Sequence, residues 1–246
     1  MKSVIGLPSG KLQGPTYEFL SERGIKLPNY SPELGIRNYR IETADAVFVI
    51  DTSRDLPKRV ATGDIDAAIA GESEIQEFLG ERETARINGV RSIFYEASEA
   101  FYVRPLPPYL TWKLVVLVRE DARDRTFHDM LKRLNARDMR TPLISWTEYP
   151  YSERRLLQEL IPDMTVGMYP YSDGDVVIMA SSGATESKLR AGDSSFGLEV
   201  VSSGKTAEIN RLRPFSETEK TYRSVVMQGI GTNNGFVKEL VKQLEE

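Results

Sequence analysis

The chain contains no cysteine, which excludes disulfides, thiolate metal sites and a cysteine nucleophile. That fits a cytosolic enzyme, and a cytoplasmic location is the expectation. Histidine is nearly as scarce. His128 is the one present, it sits in a charged, helix-like stretch, and it reads as a surface residue rather than a base. Basic residues are not in excess: the formal net charge is -4, which leaves no electrostatic footprint for a nucleic-acid backbone. No apolar run approaches the roughly 18 to 20 residues needed to cross a bilayer. The first residues turn polar by Ser9-Gly10-Lys11, too early for a secretory leader. Neither nucleic acid nor membrane is therefore an expected partner.

What is present is the composition of an ordinary globular protein: 246 residues, 40% hydrophobic and 28% charged, enough for one large or two small domains. The most informative stretch is Ser202-Ser203-Gly204-Lys205-Thr206. It follows an apolar run (Phe196, Leu198, Val200, Val201) interrupted by Glu199, and it leads into a helix-like segment, Ala207 to Arg211. A strand ending in small hydroxylated residues around a glycine, with a helix next, makes an anion site from loop amides, hydroxyls and the helix N-terminus. An acid just upstream accepts hydrogen bonds from sugar hydroxyls, so the pattern points to a pocket for a phosphorylated sugar. A nucleotide P-loop fails on spacing, because six residues rather than four separate Gly197 from Gly204. The plain alternative is a capped turn.

Apolar runs of strand length alternate with amphipathic segments of helix length, which argues for an α/β protein. Strands are expected at Val4–Leu7, Ala46–Ile50 and Asp66–Ala70, with helices at Pro15–Arg23, Leu56–Thr62 and, briefly, Ile75–Leu79. The stretch from Gly80 to Trp112 breaks the rhythm with two β-like runs, Val90–Tyr95 and Ala100–Val103, and the prolines Pro105, Pro107 and Pro108. Such a cluster marks a crossing between lobes. Beyond it, strands are expected at Lys113–Val118, Pro142–Trp146, Thr165–Met168, Asp175–Ala180 and lastly Phe196–Val201. Helices are expected at Arg125–Leu134, Ser152–Ile161 and Ala184–Leu189, and the tail from Phe215 reads as one or two helices broken at Gly229–Gly235. The division that follows is one lobe from residues 1–108 with 212–246 and a second from 109–211. Ligands of open α/β sheets bind beyond the carboxyl ends of the strands, which here means the loops at Pro8, Gly71, Trp146, Ser181 and Ser202.

Five of these loop regions, in order, resemble one family. Leu7-Pro8-Ser9-Gly10-Lys11-Leu12 is similar to the first motif of ATP phosphoribosyltransferases, the opening enzymes of histidine biosynthesis. Arg54-Asp55-Leu56-Pro57 with Val60, Gly63, Asp64, Asp66, Ala67, Ile69 and Gly71 resembles their second block. Thr147-Glu148-Tyr149-Pro150 with Arg154-Arg155 resembles a third, and Gly183-Ala184-Thr185-Glu186 a fourth. Glu199 through Thr206 resembles the loop for phosphoribosyl pyrophosphate. Ser9 stands where the family has Lys, and Glu199 where it has Asp.

The resemblance implies a two-lobed α/β fold of the periplasmic-binding-protein type (type II), with the active site in the interlobe cleft. It implies a reaction that joins N1 of ATP to C1 of 5-phosphoribosyl 1-pyrophosphate and releases pyrophosphate, with Mg²⁺ carried by the substrate phosphates rather than by a protein cage. Ser202, Ser203, Gly204, Lys205 and Thr206 would hold the 5′-phosphate. Glu199 and Lys11 are the catalytic candidates, Glu199 on the ribose hydroxyls and Lys11 on phosphates. Ser9, Gly10, Lys11, Arg54, Gly71, Glu72 and Thr185 are the candidates for ATP or pyrophosphate. A homo-oligomer is expected, with or without a separate regulatory subunit, since the stretch after Arg213 is too short for the allosteric C-terminal module that some members carry. Two other readings stay open: a non-catalytic binder or regulatory paralogue on the same scaffold, and a phosphoribosyltransferase for another base.

Several residues carry plainer expectations. Asp64 and Asp66 flank a strand start and read as structural. Arg154 and Arg155 lie in a helix with Glu153, where solvated pairing is expected. Trp112 and Trp146 read as packing residues, Trp146 alternatively as a platform for adenine.

Overall fold

Strand register in a computed structural model sorts the apolar residues onto two faces of a sheet. The structure describes residues 2–32, 39–89, 101–135, 142–181, 183, 185–201, 205–232 and 234–246. The chain divides into two compact units, Met1–Thr111 with Arg223–Glu246, and Trp112–Tyr222.

In the first unit, β1 (Ser3–Pro8), β3 (Ala46–Asp51) and β4 (Ala67–Gly71) run parallel, with Pro8 opposite Asp51 and Gly6 opposite Ala68. β2 (Tyr39–Glu42) lies antiparallel on β3, and β12 (Lys220–Gly229) lies antiparallel between β4 and β5 (Phe101–Pro105). Alternate residues part company across this sheet. Ile5, Leu7, Phe48, Ile50, Ala67, Ile69 and Val226 pack under α1 (Gln13–Glu22) and α8 (Gly235–Glu245). Val49, Ala68, Ala70, Val225 and Met227 pack under α2 (Leu56–Ala61) and α3 (Glu72–Ile87). A period of two with both faces covered is the pattern of a buried α/β sheet. Gly6 lets α2 approach, since a Cβ there would sit 2.6 Å from carbons of Leu56 and Ile65.

In the second unit, β7 (Leu143–Thr147), β9 (Val176–Ala180) and β8 (Val166–Met168) form a parallel sheet in the order β7-β9-β8. A parallel bridge from Ser145 to Phe196 brings β10 (Gly197–Val201) beside β7. β6 (Thr111–Arg119) pairs antiparallel with β10 and with β11 (Leu212–Pro214). The helices are α4 (Phe127–Asn135), α5 (Pro150–Leu160), α6 (Thr185–Ala191) and α7 (Lys205–Ile209). Phe127 packs edge-on against Phe196 with ring centres 5.0 Å apart, and it also meets Phe215. Among the described residues no helix is long and apolar enough to cross a membrane.

Three expectations need correction. Ile75–Leu79 is not a short helix but the start of α3, a helix of 16 residues. Its later turns are charged rather than apolar, and they are held by Lys58–Glu81 and Arg86–Glu83 ion pairs. The tail is not all helix: β12 occupies Lys220–Gly229, and Phe196–Val201 is not the last strand. The apolar centre of β12 has no alternation because both its faces are buried, so periodicity cannot tell it from helix. Thr221, Tyr222, Val225 and Val226 supply the β-branched and aromatic bias. The run expected at Val90–Tyr95 lies outside the described residues.

Candidate active site

Each unit carries one cluster of the sequence-selected residues at the carboxyl ends of its parallel strands. In the second unit, Thr147 is opposite Ala180, and the Thr147 hydroxyl donates to the Leu198 carbonyl at 2.6 Å. β7 and β9 therefore end together, level with the start of β10, which runs three residues further to Val201. The loops leaving them are Glu148–Pro150, the turn through Gly183, and the segment that follows Val201. Ser202, Ser203 and Gly204 lie outside the described residues. Lys205 opens α7 and is exposed, and Thr206 is in the same helix.

Glu199 is the centre of this cluster. It is 7% exposed, on β10, with Val200 N–H donating to its Oε1 at 3.0 Å. Burial pushes its pKa up to about 7, against the Val200 bond; Glu148 and Glu186 push the same way as burial, and a Thr185 hydroxyl contact opposes it. Thr185 is fully buried at the start of α6, its Oγ1 2.9 Å from Ser181 Oγ. Gly183 turns with φ +72, and a Cβ there would meet Glu148 Oε1 at 3.4 Å. The Thr147, Gly183 and Glu199 blocks, far apart in sequence, thus meet around one carboxylate. Gly197 makes this possible: a Cβ at that position would run into the Trp146 carbonyl oxygen, so only glycine lets β10 lie this close to β7.

In the first unit the loop after β1 is fixed from two sides. Ser9 N–H donates to the Asp51 carbonyl at 2.7 Å, and the fully buried Tyr30 hydroxyl donates to the Pro8 carbonyl at 2.6 Å. Ser9 is buried, Gly10 turns with φ +72, and Lys11 is exposed in the following short helical turn. Asp51 accepts from Thr52 N–H and from Arg59 Nη1 at 2.9 Å. Gly71 precedes α3 as its N-cap and Glu72 is its first residue. Glu74 is in the first turn of α3, next to the buried Ser73, whose hydroxyl donates to it at 2.7 Å. Burial raises the Glu74 pKa, while Ser73, its own N–H and the charge of Arg54 lower it. The register thus places Ser9–Lys11, Arg54 and Gly71–Glu72 on one edge of this sheet.

Sequence reasoning passed over Glu148, Glu186 and Glu74 as site residues. The first two stood in the quoted blocks, but a strand-end acid announces nothing until its neighbours are known. Asp64 and Asp66 are structural, as expected: Asp64 pairs with Arg59 and Asp66 accepts Val4 N–H at 2.7 Å. Glu153 is not solvated; it is fully buried in α5 and accepts from Ser145 Oγ at 2.5 Å. Trp112 is buried as a packing residue, and the Lys188 ammonium lies 4.8 Å over the Trp146 ring.

Comparison with known proteins gives this arrangement a context. A solved ATP phosphoribosyl transferase (HisG:HisZ) complex from Thermotoga maritima superposes with a TM-score of 0.61 at 15% identity, over 99% of this chain and 95% of that one. The arginine-, lysine-, histidine-binding protein ArtJ from Geobacillus stearothermophilus gives 0.51 at 10%, over 99% and 88%. The fold is therefore the α/β class that such transferases share with type II periplasmic binding proteins. An ATP phosphoribosyltransferase from Desulfatibacillum aliphaticivorans is 23% identical over 242 residues, 98% of this chain and 69% of the relative. The family model for HisG, ATP phosphoribosyltransferase, matches residues 52–246. That span takes in every block described here except the first loop, and the chain belongs to the ATP phosphoribosyltransferase family.

Proposed function

We propose that this chain transfers the 5-phosphoribosyl group of phosphoribosyl pyrophosphate to N1 of ATP, as the first step of histidine biosynthesis in the cytoplasm. The observation that carries this reading is the convergence of the Thr147, Gly183 and Glu199 blocks on one buried carboxylate, Glu199, which shortly precedes Ser202–Thr206 in the sequence.

In the reaction the bond from C1 to the pyrophosphate oxygen breaks and the bond from C1 to N1 forms. Positive charge grows on the ribose and negative charge on the leaving group. Catalysis of this kind needs alignment and charge neutralisation rather than a protein nucleophile. Glu199 accepts hydrogen bonds from the ribose hydroxyls and, with Glu148 and Glu186, favours the cationic ring in the transition state. Ser202, Ser203, Gly204, Lys205 and Thr206 hold the 5′-phosphate. Ser9, Gly10, Lys11, Arg54, Gly71 and Glu72 bind ATP or the departing pyrophosphate, while the buried Thr185 steadies Glu199 through its hydroxyl. Mg²⁺ arrives on the substrate phosphates, in keeping with an ion that retains waters and prefers phosphate oxygens. The working form in this reading is a homo-oligomer, alone or with a separate regulatory subunit.

The test is a continuous assay with ATP, phosphoribosyl pyrophosphate and Mg²⁺. Pyrophosphate should appear in step with absorbance from the N1-substituted adenine, and chelation of Mg²⁺ should stop both. A folded preparation that binds both substrates without turning them over overturns the reading in favour of a non-catalytic binder.

A further inference from the structure

The loop after β1 is bracketed by one residue that lies outside every block singled out in the sequence. Tyr30 ends a short helical turn, Pro28–Tyr30, and is fully buried in the same cluster as Leu7 and Phe19. Its hydroxyl donates to the Pro8 carbonyl at 2.6 Å, and its own carbonyl accepts from Gln13 Nε2 at 3.1 Å. Pro8 is the last residue of β1 and Gln13 the first of α1. Residues 9–12 therefore run between two anchors supplied by a single residue.

Both anchors are buried, Gln13 at 5% exposure and Tyr30 at 0%. Water does not contest hydrogen bonds there, and leaving either group unpaired is costly. A phenylalanine would fill the same core volume with no hydroxyl to satisfy, so packing alone does not call for tyrosine. Burial raises the pKa of this hydroxyl, which keeps the proton it donates. Tyr39 of β2 secures the turn itself, its hydroxyl donating to the Asn29 carbonyl at 2.6 Å. From the other side Ser9 N–H reaches the Asp51 carbonyl of β3. The ends of the loop are thus tied to β2, β3 and the core, whereas its middle is open. Gly10 turns with φ +72, no atom stands within 4 Å of a Cβ placed there, and Lys11 is exposed.

We propose that Tyr30 is a positioning residue for this loop, holding residues 9–12 preformed so that Gly10 and Lys11 meet substrate phosphates without first being ordered. A preformed loop removes the ordering penalty from the binding step. The substrate named here rests on the transferase reading; the clamp does not.

Two variants open the clamp from either side. Tyr30→Phe removes the hydroxyl and Gln13→Met the carboxamide, each at nearly constant volume. Hydrogen exchange on the ligand-free full chain tests the clamp by itself. Exchange at residues 9–12 should quicken by about three- to tenfold, the contribution of one neutral hydrogen bond, while β3 keeps its protection. Calorimetric titration with pyrophosphate and Mg²⁺ should show affinity lowered by the same factor. In the transferase assay KM for ATP or for phosphoribosyl pyrophosphate should rise with kcat held within about twofold, the pattern of lost uniform binding. The substrate whose KM moves is the one whose phosphates the loop holds. If either variant misfolds, the other decides. Unchanged exchange at residues 9–12 in a folded variant overturns the proposal. So do unchanged pyrophosphate affinity and KM values, or a fall in kcat alone. A wild-type chain that binds neither pyrophosphate nor ATP counts against the transferase reading, and the exchange result still decides the clamp.

Discussion

Glu199 shows how a single residue links stability to chemistry. Its pKa rises from 4.5 in the reference state to about 7 in the fold, chiefly through burial. The native state therefore holds this proton to higher pH than the unfolded chain does. Stability from this group falls as pH rises from about 4.5 to about 7, by about 3 kcal/mol in all, and stays at the lower level above that. Glu199→Gln removes the buried charge, so it should stabilise the protein at pH 8 and change little at pH 4. Urea denaturation at the two pH values checks this, and equal shifts at both would refute it. The same variant should lower kcat/KM for phosphoribosyl pyrophosphate by about 10- to 100-fold, the cost of hydrogen bonds to a charged group.

At the scale of elements, the contact between β10 and β7 governs where Glu199 stands. Gly197→Ala sets a methyl group against the Trp146 carbonyl, and the backbone has to move to accept it. A loss of about 1–3 kcal/mol is expected, along with activity, because β10 carries Glu199 into the cluster. Gly235→Ala is the control: open space surrounds that position at the start of α8, and stability there should change by less than about 1 kcal/mol. Thermal melts of the two variants make the comparison, and a Gly197→Ala protein as stable as wild type would contradict the packing argument. Elements were legible from sequence wherever one face is wet or the length is decisive. Most of the second unit falls in that class, and β1, β3 and β4, covered on both faces, fall in it by length, since runs of 6, 6 and 5 residues are too short for a helix. β12 was not legible, because it is equally covered on both faces but 10 residues long, a length a helix also takes.

For the molecule as a whole, substrate binding should appear as ligand-linked stability. At a hundred times its Kd, phosphoribosyl pyrophosphate adds about 2.7 kcal/mol, which for a chain of this size raises Tm by about 5–10 °C. Hydrogen exchange should locate the effect, with new protection in residues 145–150 and 181–201. A shift without protection in those segments would move the sugar-phosphate site elsewhere.

The sequence by itself determined the α/β class, the absence of thiol and extensive histidine chemistry, and the five loop blocks of the family, since these depend on residue type and short-range period. Tertiary structure alone decided that Glu148, Thr185 and Glu186 surround Glu199 and that Gly197 is obligatory. Such facts rest on which distant strands lie side by side. Strand pairing is settled by mutual burial and by steric fit between segments some fifty residues apart, and no local pattern contains that information.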